Sequence, residues 1–95
     1  MSKSIIQTEK ECYITGSTEN LHLHHLLSGT GTRKLCDKYG LTIWLRADWH
    51  NMSDYGVHFN KKLDTELKQM AQKKAMEVYG WSVEDFIKIF GRNYL

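Results

Sequence analysis

The chain contains no proline among its 95 residues. Helices can therefore run without a ring-imposed break. Cysteine is scarce too, at Cys12 and Cys36 only. Two thiols are too few for a disulfide framework. A Cys12–Cys36 bridge is allowed by separation but does not suit a reducing compartment, so both are read as inert thiols. No apolar run is long enough to span a membrane, and no signal-peptide pattern opens the chain. The expected location is the cytoplasm, with no membrane partner. Charge of one sign is also missing: 13 Lys and Arg against 11 Asp and Glu leave a net of +2. That balance permits nucleic-acid binding without arguing for it.

What is present suits one small domain. The apolar share, 41%, is ordinary for a folded chain, and the aromatic share of 12% adds buried area to a modest core. Residues 1–10 read as a flexible lead-in, and 11–95 as a single domain. Cys12-Tyr13-Ile14-Thr15-Gly16-Ser17 suggests a tight turn. Leu21 to about Leu26 alternates apolar and polar residues, a strand pattern. A flexible loop, Ser28-Gly29-Thr30-Gly31-Thr32, leads into Arg33-Lys34. Arg33 to Tyr39 is expected to form a short helical turn stopped by Gly40. Leu41-Thr42-Ile43-Trp44-Leu45 is the best strand, rich in branched and aromatic residues. A short helix is expected from about Asp48, ended or bent by Gly56.

The second half reads as helix. Leu63, Leu67, Met70, Ala71, Ala75 and Val78 recur at steps of three and four, giving one apolar face that forms core or a dimer seam. The lysines around it are solubilising by default. Gly80 closes this helix. Ser82 caps the next, with Asp85 three residues on, and Phe86, Ile87, Ile89 and Phe90 give that helix its apolar side. Gly91 ends it, leaving Arg92-Asn93-Tyr94-Leu95 as a tail.

The chemistry lies in the histidines: His24-His25, then His50, then His58. Imidazole is the commonest metal ligand and the commonest general base near neutral pH. Several brought together can hold a cation and activate a water beside it. Metal-assisted phosphodiester cleavage is the expected chemistry. His22, two residues before His24, is read first as a surface imidazole and second as a spare ligand. Asp54, four residues beyond His50, shares its helix face and rivals His58 as third ligand.

Strand, strand and helix in this order, with histidines ending the first strand and on the helix, resemble the ββα-metal core of HNH-type endonucleases. The run Cys12…His24-His25…Gly29…Arg33-Lys34…Tyr39-Gly40-Leu41…His50-Asn51…Gly56-Val57-His58 is similar to small phage-encoded HNH-like proteins. So is the ending Phe90-Gly91-Arg92-Asn93-Tyr94-Leu95. The resemblance covers roughly residues 10 to 95. It implies an α+β fold, with a hairpin–helix core over 11–59 and two C-terminal helices over 60–95.

By that resemblance, His25 matches the general base and His24, His50 and His58 the ligands of one divalent ion (Mg²⁺, Mn²⁺, Zn²⁺ or Ni²⁺). Neighbours on a strand face opposite sides, so only a bend at the strand end lets His24 and His25 serve one site. Arg33 and Lys34 would grip DNA phosphate, and Asn51 or Asp54 would orient a ligand or water. Many relatives hold a structural zinc with two Cys-x-x-Cys pairs. Here the partner of Cys12 is Thr15, and the second pair reads Arg46 and Trp49. One thiolate cannot close a tetrahedral site, so no structural zinc is expected; Trp44, Trp49, Tyr13 and Ile14 should plug its space. The degenerate cysteine positions open a second reading. In it the fold persists without chemistry, as a DNA-binding module or an inhibitor of a host defence protein in the bacterial cell. Either way the partners are DNA or a host or phage protein, with a dimer allowed.

Overall fold

The computed structural model describes residues 4–29, 31–50, 56–57 and 60–95. Among these the chain is α+β: a two-stranded antiparallel hairpin and four helices. The order is β1 (Leu21–His25), α1 (Thr32–Tyr39), β2 (Thr42–Arg46), α2 (Ala47–His50), α3 (Lys61–Tyr79) and α4 (Val83–Phe90).

The hairpin pairs Leu21 with Arg46, His22 with Leu45, Leu23 with Trp44, His24 with Ile43 and His25 with Thr42. Directly paired residues share a face, so His22 and His24 stand beside Ile43 and Leu45, and His25 faces the other way. Helix α1 sits inside the hairpin connection. It ends at Gly40, whose φ of 74° closes the helix in a left-handed cap, and the Gly40 N–H returns to the Cys36 carbonyl. Leu41 N–H also bonds back to Cys36, and Leu26 N–H to the Leu41 carbonyl, which brings the chain straight into β2.

The outer edge of β2 is covered. Where a loose lead-in is expected, Ile5 N–H bonds the Gly40 carbonyl at 2.9 Å, and the Gln7 side chain accepts from Trp44 N–H at 2.8 Å. Tyr13 N–H takes the Trp44 carbonyl at 2.8 Å. An exposed strand edge is a template for pairing with other chains, and this segment removes it. Ile5 and Ile6 pack on the core.

The core joins Leu26, Leu27, Cys36, Leu41, Ile43 and Leu45 from the hairpin region to Leu67, Ala71, Ala75, Phe86 and Phe90 from the helices. The apolar face of α3 ends one turn before the periodicity suggests: Val78 is 47% exposed. Ile87 of α4 is likewise exposed. Gln72 is fully buried instead. Its side-chain amide donates to Asn93 Oδ1 at 2.8 Å and its carbonyl accepts from Tyr94 N–H at 2.7 Å. The four-residue tail is therefore docked on α3, with the Tyr94 N–H satisfied by a buried side chain. None of the described helices is long and apolar enough to cross a membrane.

Candidate functional site

Strand β1 and helix α2 place three imidazoles together. Because β2 runs directly into α2, His50 ends one turn beyond the strand paired with β1. Ala47 N–H fixes this turn by bonding the Asn20 carbonyl at 2.8 Å. His22 Nδ1 and His50 Nδ1 lie 3.0 Å apart, with ring centroids at 5.2 Å. His24 meets His50 edge-on, with centroids at 5.3 Å. His24 is the buried member, at 5% exposure. His22 is thus part of the cluster, not a lone surface imidazole.

The Nδ1···Nδ1 contact carries chemical information. Two ring nitrogens at this distance share one proton, so one ring donates and the other accepts. The same spacing suits a shared cation: two nitrogens about 2.0–2.1 Å from one ion stand roughly 3 Å apart when they subtend a near-right angle. Among the described residues, no three His, Cys, Asp or Glu side chains form a group that could hold a metal ion. Of the expected ligands, His24 and His50 are brought together. His58, with Asn51 and Asp54, lies outside the described residues.

His25 points away from His24, as strand alternation requires, and toward α1. There its Nε2 meets Asp37 Oδ1 at 2.9 Å. The strand ends at His25, and the chain bends into the loop after it. A cleft of about 300 Å³ at this bend is lined by His24, His25, Ser28, Gly29, Arg33 and His50 among others. Base candidate, ligand candidates and one cation therefore share one concavity. Arg33 lines it; Lys34, next on α1, does not, since neighbours on a helix diverge by about 100°. Two wider hollows lie elsewhere. One, of about 570 Å³, runs along α3 between Tyr13 and Lys73, and holds no histidine. The other, about 650 Å³, shares His22 but otherwise offers the Arg46–Asp48 pair.

The turn at Cys12 is built by hydrogen bonds. Cys12 N–H bonds the Ser17 carbonyl at 2.7 Å, Gly16 N–H bonds the Cys12 carbonyl at 2.8 Å, and Thr15 N–H points at Cys12 Sγ at 3.4 Å. Burial pushes the thiol up, but hydrogen bonds from the Thr15 side chain and from the backbone at Arg46, Thr15 and Ile14 together pull it below its ordinary value. The expected apolar plug does not form as read. Tyr13 and Ile14 are 42% and 36% exposed. Tyr13 N–H holds the hairpin through the Trp44 carbonyl, while both side chains are exposed. Trp44 is half-buried beneath the Lys10 ammonium. Arg46 makes a bidentate pair with Asp48, at 2.6 and 2.8 Å.

Asp37 is the residue that sequence reading missed. It lies 12 positions from His25, in a stretch read only as a helical turn. Its one sequence signal is helical phase: Asp37 follows Arg33 by four residues and so shares its side of α1. No family model, curated protein or solved structure matches the chain.

Proposed function

We propose that this chain is a small HNH-type, metal-dependent endonuclease that hydrolyses DNA phosphodiester bonds on a ββα-metal core. The observation that carries the reading is the cleft at the end of β1, where His24, His25, His50 and Arg33 converge from three elements. Imidazole donors suit zinc, nickel or manganese, and three side-chain ligands would leave coordination positions for substrate oxygens.

The ligands in this reading are His24, His50 and His58, with His22 against His50. A divalent ion bound there would supply charge neutralisation at the phosphate and the leaving oxygen. The chain's own groups do the rest. His25 accepts the proton as water oxygen bonds to phosphorus and the bond to the leaving oxygen breaks. Arg33 fixes the phosphate at the cleft wall, and Lys34 serves the flanking backbone. A site built on phosphate contacts has almost no base readout, so sequence specificity is expected to be low or to come from a partner.

The test is plasmid nicking with Mg²⁺, Mn²⁺, Zn²⁺ or Ni²⁺. His25→Ala should lower the rate by about 10²–10⁴-fold, the contribution of a positioned general base, while circular dichroism stays unchanged. Wild-type protein that binds no divalent ion and never nicks DNA would establish the second reading instead. That reading is a catalytically degenerate module that binds DNA or blocks a host defence protein. The Arg46–Asp48 pair favours it to this extent: a protein ion pair occupies a hairpin position where the resembling proteins carry a zinc ligand.

A further inference from the structure

We infer that Asp37 is a positioning residue that holds the Nε2–H tautomer of His25 and so makes Nδ1 the proton-accepting atom of the site. The inference rests on the endonuclease reading for its catalytic meaning, but its chemistry can be read without any nuclease assay. Three observations and one rule of hydrogen bonding support it. Asp37 Oδ1 stands 2.9 Å from His25 Nε2, a direct hydrogen-bond distance. A carboxylate only accepts, so the shared proton belongs to the ring nitrogen. The His25 side of the contact is largely covered, at 14% side-chain exposure, while the Asp37 side chain is 36% exposed. Among the described residues Nδ1 has no hydrogen-bond partner.

The pair also joins two elements. His25 is the last residue of β1, and Asp37 sits on α1, one turn beyond Arg33. The helix that presents the phosphate-binding cation to the cleft thus also presents the carboxylate that orients the base. A half-turn about χ2 would otherwise put Cε1 where Nε2 meets Asp37 and Cδ2 where Nδ1 stands, moving both nitrogens to other positions. A carboxylate on one nitrogen fixes both the tautomer and the rotation, the general logic of an acid–imidazole pair. When the ring takes a second proton from water at Nδ1, Asp37 faces an imidazolium across the same contact. The pair then gains an opposite charge with no movement of either group.

The experiment has two arms. In the first, protein with ¹⁵N-labelled histidine is examined by NMR without metal or DNA. Wild type should show His25 with Nδ1 unprotonated and with a slowly exchanging Nε2–H proton. Asp37→Ala should lose that proton signal to exchange with water. Asp37→Asn, which keeps the size and guards against misfolding, should retain it with faster exchange. A His25 protonated at Nδ1, or an Nε2–H whose exchange ignores both substitutions, overturns the proposal whatever the nuclease assays show.

The second arm is a double-mutant cycle on nicking. Asp37→Ala should lower kcat by about 10- to 100-fold with KM little changed, as for an outer-shell partner of a histidine. His25→Ala and His25→Ala/Asp37→Ala should be equally slow, because Asp37 acts through the ring. Additive losses would show that Asp37 acts elsewhere and overturn its role at the base. Failure of wild type to nick, with the NMR signature intact, would defeat the endonuclease reading and leave the tautomer assignment standing.

Discussion

His50 ends a four-residue helix and touches two other imidazoles, His22 by a nitrogen-to-nitrogen contact and His24 edge to edge. Loss of its ring removes both pairings at once, whereas loss of His22 removes one. Calorimetric titration with Zn²⁺ or Ni²⁺ should therefore separate the two. His22→Ala should weaken binding by about 10- to 100-fold, the scale of an outer partner or peripheral ligand. His50→Ala should weaken it further, to the level of scattered surface histidines. Equal affinity in wild type and His50→Ala would remove this cluster as a metal centre. The distinction between His22 and His24 also decides which way the cluster faces. His22 borders the hollow shared with Arg46 and Asp48, and His24 lines the cleft with His25 and Arg33.

Among the elements, α4 shows how a short helix is held at both ends. Ser82 accepts from Asp85 N–H at 3.1 Å, and the Asp85 carboxylate accepts from Ser82 N–H at 3.0 Å, a reciprocal capping box. Hydrogen bonding from the Ser82 backbone, then from its side chain, holds the Asp85 carboxyl below its ordinary value of 3.8. A depressed acid favours the folded state only while ionised. Its contribution is complete above the ordinary carboxylate range and disappears as pH falls through the lowered value. Thermal melts of wild type should therefore lose Tm between about pH 5 and pH 3 more steeply than melts of Asp85→Asn. Parallel curves would show that the cap adds nothing.

This box was legible because Ser-x-x-Asp carries both partners within four residues. The hairpin was legible for the same local reason: alternation and branched residues gave the strands, and Gly40, Gly80 and Gly91 the helix ends. The misreadings share a different cause. The Asp37–His25 contact, the Gln72–Tyr94 clasp and the Gln7–Trp44 edge bond span 12, 22 and 37 positions. No periodicity encodes such partners. Tyr13 and Ile14 misled for a related reason: apolar side chains read as filler are exposed here, and Tyr13 serves the hairpin through its backbone.

Across the whole molecule, the net of +2 limits how the protein would hold DNA under the proposed endonuclease reading. Without a broad basic face, affinity must come from a few local phosphate contacts, each releasing condensed counterions. Arg33 is the cation at the cleft, while Lys68 is paired with Asp64 at 2.8 Å and Arg46 with Asp48. Paired cations carry their own counter-charge and release little. The dependence of log K on log[salt] should therefore be shallow, with a slope near −0.9 for each phosphate engaged, so roughly −1 to −3 in total. Arg33→Ala should reduce the magnitude of that slope by about one. Lys34→Ala, displaced around α1 from the cleft, should change it less. Fluorescence anisotropy on a short duplex at several salt concentrations measures all three. A steep slope untouched by Arg33→Ala would place the DNA on another surface, the lysines of α3 being the largest remaining set of cations. The cleft at the end of β1 would then not be where phosphate binds.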